Sequence, residues 1–251
     1  MPCVVEYVGY GGGRGLPHQR VMWAAAGYAH LVMDTRGQGA TWAAGHTPDP
    51  APAGGPAHPG FATRGIHDPA AYYYRRVYAD AVRAVDAAAA HPRIDAGRIA
   101  VAGSSQGGAL ALAAAGLRPA VAAALIDVPF LADIPRALSA AADGPYTEIA
   151  RYLAIHPDAE SKVLDTLAYF DVCSMAARAH APALFSVGLM DPVCPPSTVY
   201  AAFHLYHGPK SMQVYRFGGH EGGHHAHEAR QLRWLRQLFD HHGAALTPPP
   251  P

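Results

Sequence analysis

A chain of 251 residues, half of them apolar and 15% charged, can bury one large core and is not composed like a disordered protein. Its 19 basic and 19 acidic side chains cancel, which excludes bulk attraction to nucleic acid or an anionic membrane, although 16 histidines add positive charge at mildly acidic pH. Cys3, Cys173 and Cys194 are an odd set without a CxxC pair, which argues against a disulfide framework and for a reducing compartment.

In chain order, Val4 to Tyr10 reads as a buried first strand, ending in the glycine-rich loop Gly11 to Gly15. A short helix around Gln19 to Ala26 leads to a second strand, Ala29 to Asp34, and then a long Pro/Gly/His-rich loop from Arg36 to His67. Asp68-Pro69 opens a helix as cap and first residue; Val77, Ala81, Ala84, Val85 and Ala88 recur on one face of it. Arg98 to Ala102 is a third strand, followed from Ser105 by an alanine-rich helix, and Ala120 to Asp127 is a fourth. The stretch from 130 to 170 is a polar-faced helical insertion. Strand Ala183 to Gly188, helix Ser197 to His207, strand Met212 to Phe217 and a last helix to His241 complete the pattern.

This alternation predicts one α/β domain over residues 1–243, with helices on both faces of a mostly parallel sheet, and a disordered Pro-rich tail over 244–251. The N-terminus lacks a basic-then-apolar leader, and the most apolar run, Ala109 to Ala115, is far short of the about 20 residues a bilayer span needs. A cytoplasmic protein without membrane or nucleic-acid partners is expected.

Gly103-Ser104-Ser105-Gln106-Gly107 matches G-x-S-x-G, with a strand running in and an apolar helix running out. That context is a nucleophile elbow: an α/β-hydrolase serine sits on a strained turn at the sheet's carboxyl edge. Such a serine needs a base, and the base an orienting acid, in the chain order Ser, acid, His, each after a later strand. Asp191 follows the strand ending at Gly188, and His220 follows the strand ending near Phe217, so both fall where the topology requires. Asp95 precedes its strand, Asp165 and Asp171 fall in the insertion, and His224, His225 and His227 read as surface positions of the last helix. The oxyanion donors are expected to be the Gln106 N–H and an amide of the loop holding Tyr10 and Gly11.

Val8-Gly9-Tyr10, Arg36-Gly37-Gln38, Tyr72-Tyr73-Tyr74-Arg75, the elbow, Asp191-Pro192-Val193-Cys194-Pro195-Pro196 and His220-Glu221, in this order, resemble the acetyl xylan esterase/cephalosporin-C deacetylase family. The resemblance spans about Pro2 to His242. It implies an α/β-hydrolase that removes acetyl groups from small sugar or xylo-oligosaccharide esters and from cephalosporin C, without metal or organic cofactor. It also implies Ser105, Asp191 and His220 as triad, the Tyr10 and Gln106 amides as oxyanion donors, and Arg36 and Gln38 as braces of the surrounding loops. Family members form ring-shaped hexamers, so a homo-oligomer is expected. They also carry a helical segment and strands ahead of the strand at Val4, which this chain is expected to lack, leaving a sheet edge uncovered.

Other readings compete. A general short-chain carboxylesterase uses the same site, and a serine peptidase would need a pocket for the substrate's amino terminus. His220-Glu221-Gly222-Gly223-His224 spells the zinc-hydrolase string H-E-x-x-H, but two adjacent glycines oppose the helix it requires. The Gly11 loop fails the dinucleotide fingerprint at Leu16. An inactive truncated homologue would fold without turning over any ester.

Overall fold

The four inner strands are short apolar runs buried on both faces, the pattern a parallel sheet covered by helices requires. The computed structural model describes residues 1–50 and 57–244, with side chains through residue 240. Its strands are β1 (Cys3–Tyr7), β2 (Ala29–Met33), β3 (Ile99–Ser104), β4 (Ala123–Asp127), β5 (Ala183–Gly188) and β6 (Lys210–Tyr215). All pair in parallel in the order β2-β1-β3-β4-β5-β6. The half-buried strands β2 and β6 form the two edges.

The helices are α1 (Met22–Ala25), α2 (Tyr73–Ala89), α3 (Gln106–Leu117), α4 (Ile134–Ala140), α5 (Tyr146–Ile155), α6 (Glu160–Ala168), α7 (Val172–Ala176), α8 (Pro196–Leu205) and α9 (His224–Ala244). Alternate strand residues feed two cores. Cys3, Val5, Tyr7, Ile99, Val101, Ile126 and Phe185 face the layer built on α2, α3, α7 and α8. Val4, Ala100, Ala102, Leu125 and Leu184 pack with Trp23 of α1 and with Leu235 and Phe239 of α9. The chain leaves β1 for β2 on one side and returns to β3 on the other. The carboxyl ends of β1 and β3 therefore flank a topological switch point, where open α/β sheets hold their ligands.

The mostly parallel sheet, the helices on both faces and the helices within 130–170 match the sequence reading. Helix α2 does not: it starts at Tyr73. Asp68 instead closes a separate turn, its carboxylate taking the Ala70 N–H at 2.8 Å and its carbonyl the N–H groups of Ala71 and Tyr72. The short helix expected over 19–26 is split into a 3-10 turn, Pro17–Gln19, and α1. The Pro-rich tail lies, from 245 on, outside the described residues.

Candidate active site

Ser105 caps α3 with φ 59° and ψ −119°, a conformation that costs a non-glycine residue on the order of 1–3 kcal/mol and persists only where neighbours impose it. Here the Ser105 N–H donates to the Asp127 carbonyl at 3.0 Å, and the Ser105 carbonyl accepts the Phe130 N–H at 3.0 Å. The glycines make the crossing possible. A Cβ on Gly103 would stand 2.3 Å from the Gly107 backbone, and one on Gly107 would stand 2.2 Å from the Tyr7 carbonyl oxygen.

Asp191 lies in the loop after β5 with its carboxylate fully buried. Oδ1 accepts the N–H groups of Val193 (2.8 Å) and Cys194 (2.9 Å), which leaves Oδ2 directed at His220 Nδ1, 2.9 Å away. His220, from the loop after β6, is a third exposed, so a fully buried carboxylate holds one edge of an imidazole whose side chain reaches solvent. Ser105 and His220 line the same cavity of about 820 Å³, together with Tyr10, Trp42, Pro145 and Val193. That volume suits a small ligand.

The two amides named for an oxyanion are positioned by a buried network. As first residue of α3, Gln106 has an N–H without an acceptor in its own helix. Its side chain exchanges hydrogen bonds with Gln38: Gln38 Nε2 donates to Gln106 Oε1 at 2.9 Å, and Gln106 Nε2 donates back at 3.2 Å. Gln106 also donates to the Val8 carbonyl and accepts from the Tyr74 hydroxyl. Gln38 Oε1 takes the Gly11 N–H at 2.8 Å, which removes Gly11 as a candidate donor. The Tyr10 N–H, one residue earlier, has no acceptor among the described residues. Arg36 sits further out, in a two-pronged pair with Asp80 (2.5 and 2.8 Å) and 3.4 Å from Asp49, while its carbonyl accepts the Tyr73 hydroxyl. Both residues thus hold loops, Gln38 directly behind the site and Arg36 between the long loop and α2.

Several site neighbours carried no sequence signal. The Tyr10 hydroxyl donates to Glu148 of α5 at 2.7 Å and accepts the Phe61 and Ala62 N–H groups, tying the first loop to the insertion. Burial first, and the Glu148 charge second, push this phenol far above its ordinary value, so it stays a donor. Cys194 is wholly buried against the site: burial and then the Asp191 charge drive its thiol well up, and a hydrogen bond with Ser105 opposes them. Cys194 stood in the sequence only as part of the segment after Asp191 that carries the family resemblance, with no role assigned to it.

The competing positions separate cleanly. Asp95 pairs with Arg98 ahead of β3, and Asp171 caps α7 through the Cys173 N–H. His220 lies in a turn, whereas α9 starts at His224, so these two histidines do not share the helical face a zinc-hydrolase string needs. His225 is exposed, as expected. His227 is not: it is buried, with Nδ1 3.0 Å from the Tyr215 hydroxyl and Nε2 2.8 Å from Asp127 Oδ1. The first turn of α9 points it at the sheet edge.

Residues 1–238 match the model of the acetyl xylan esterase (AXE1) family. The chain is 43% identical to an acetyl xylan esterase from Paenibacillus sp. R4, with a TM-score of 0.87, covering 94% of this chain and 74% of that one. It is 32% identical to acetyl xylan esterase 1 from Thermoanaerobacterium sp. JW/SL YS485, with a TM-score of 0.85, covering 95% and 75%. It is also 36% identical over 155 residues to the acetyl esterase Axe7A of Xylanibacter ruminicola, a match over 62% of this chain that spans about a third (34%) of that relative's length. A puromycin hydrolase at 18% identity and a TM-score of 0.65 shares the fold alone. The chain belongs to the acetyl xylan esterase family, carboxylic ester hydrolases built on the α/β-hydrolase fold.

Proposed function

We propose that this chain is a serine esterase that removes acetyl groups from small acetylated molecules, sugar and xylo-oligosaccharide acetates above all, through a Ser105 acyl-enzyme. The observation that carries the reading is the fully buried Asp191 carboxylate, spent on two amides and His220, with His220 and the strained Ser105 opening on one cavity. His220 takes the Ser105 proton as the oxygen attacks the acetyl carbonyl, and Asp191 holds the imidazole tautomer and stabilises the imidazolium. The Tyr10 and Gln106 amides receive the developing oxyanion, each donor worth on the order of 3 kcal/mol in the transition state. His220 then protonates the leaving alcohol, and water repeats the cycle to release acetate. Similarity to two acetyl xylan esterases and an acetyl esterase supports acetyl as the acyl group.

The acetyl ester of cephalosporin C is a further proposed substrate, and a homo-hexamer in the cytoplasm the proposed working form; sedimentation tests the assembly. The reaction is tested by hydrolysis of acetyl to octanoyl esters by the wild type and Ser105→Ala. Acetyl preference abolished by the alanine variant is expected. Equal turnover by the variant sinks the nucleophile, and octanoyl preference retires the deacetylase reading.

A further inference from the structure

The carboxyl end of β4 carries a second aspartate, Asp127, that the proposed reaction leaves unused. Its backbone carbonyl already holds the Ser105 N–H at 3.0 Å. Its carboxylate accepts the Ser186 hydroxyl on Oδ1 at 2.9 Å and the Gln231 amide on Oδ2 at 2.8 Å. His227 Nε2 stands 2.8 Å from Oδ1, a close polar contact rather than a straight hydrogen bond.

The other side of His227 meets the loop that carries His220. Its Nδ1 lies 3.0 Å from the Tyr215 hydroxyl, the two rings are edge to face at 5.6 Å, and its N–H donates to the Gly223 carbonyl at 3.2 Å. Tyr215 fills the space beside Gly223, where a Cβ would stand 2.1 Å from its ring, and Ser186 Oγ would meet a Cβ on Gly222 at 3.0 Å. Gly222, Gly223 and His224 have φ of 56°, 97° and 47°, three successive left-handed residues. Gly222 and Gly223 adopt such angles without steric cost, whereas His224 does so only where its surroundings impose it. The shape of this run sets the place of His220, because only Glu221 lies between them.

We propose that Asp127, His227 and Tyr215 form a positioning bridge that ties the Ser105 turn to the His220 loop and fixes nucleophile and base relative to each other. The bridge rests on the Ser105–His220 reading above, and it acts through the two loops, not on the reacting atoms. A displacement of about 1 Å at such a site costs up to about 100-fold in rate.

The test compares His227→Leu, which deletes both polar contacts, with His227→Gln, which keeps an amide for Asp127, and Tyr215→Phe, which removes one hydroxyl. Two measurements are made on folded protein: steady-state kinetics, kcat and KM, with 4-nitrophenyl acetate, and the low-field NMR signal of the His220 proton shared with Asp191. His227→Leu is expected to lower kcat by about 10- to 100-fold with KM little changed, and to broaden the NMR signal. His227→Gln recovers most of both, and Tyr215→Phe falls between. Wild-type kcat and an unchanged signal in His227→Leu overturn the bridge, as does a glutamine variant no better than leucine. If His227→Leu does not fold, Tyr215→Phe decides by the same criteria. A wild type that shows the signal yet leaves the ester intact defeats the esterase reading, and the signal alone then judges the bridge.

Discussion

Replacing Gln38 by leucine separates bracing from packing, because the two side chains are similar in size and only the amide is lost. Gln106 keeps the Val8 carbonyl and the Tyr74 hydroxyl, and Tyr73 keeps the Arg36 carbonyl. The Gly11 N–H loses its acceptor. One buried donor left unpaired costs about 1–3 kcal/mol and the other lost bonds add a little, so a loss of about 2–4 kcal/mol is expected. The catalytic effect follows from adjacency: the loop regains an acceptor for Gly11 only by moving, and Tyr10 moves with it. Losing the Tyr10 amide as the proposed oxyanion donor entirely would cost about 3 kcal/mol, or about 100-fold in kcat, and a partial shift costs less. Urea unfolding gives the first quantity and steady-state hydrolysis of an acetyl ester the second. A variant with wild-type stability and wild-type kcat would show that Gln38 braces neither the Gly11 amide nor the Tyr10 loop.

Three other substitutions or conditions probe the scaffold. Glu148→Ala removes the acceptor of the Tyr10 hydroxyl and of the Gly60 and Ala62 N–H groups, and should lower stability by about 1–3 kcal/mol with faster amide exchange at residues 60–62. Gly107→Ala forces a Cβ to within 2.2 Å of the Tyr7 carbonyl oxygen, and should cost about 1–3 kcal/mol in a thermal melt, more if α3 cannot shift. Burial pushes the Asp34 carboxyl up, but the His46, Arg14 and Thr47 N–H groups and the Thr47 hydroxyl outweigh it and hold it below the ordinary 3.8. A lowered folded value means that this stabilisation is present above 3.8 and lost as pH falls through the folded value. The loop from 34 to 47 should therefore hold Trp42 steady at pH near 5 and release it only below about pH 4, read by Trp42 fluorescence.

The order of Ser105, Asp191 and His220 was legible because each follows a strand, the apolar runs β3 and β5 for the first two and the more polar edge strand β6 for the third, and a parallel sheet brings those strand ends to one edge. What the sequence left open depended on contacts between distant segments. Tyr10 and Gly11 are equivalent as neighbouring amides until Gln38, from another loop, claims one of them. Asp68-Pro69 has the composition of a helix start, yet its own carbonyl and carboxylate close a turn first. His227 was misplaced although it lies four, eight and twelve residues before the buried Gln231, Leu235 and Phe239 on one face of α9: the polar side chains at 227 and 231 masked the apolar periodicity of that face. The Tyr72-Tyr73-Tyr74 run was visible as a motif, but its service to Gln38, Gln106 and Arg36 is tertiary.

On the proposed mechanism, acetyl passes through Ser105. Rapid acid quench of the enzyme with excess acetyl ester, followed by mass spectrometry of the peptides, tests it directly. One acetyl group on the peptide holding Ser105, gained faster than steady-state turnover and absent in Ser105→Ala, is the predicted result. Acetate released with the label on another residue, or at the same rate by the alanine variant, would contradict it.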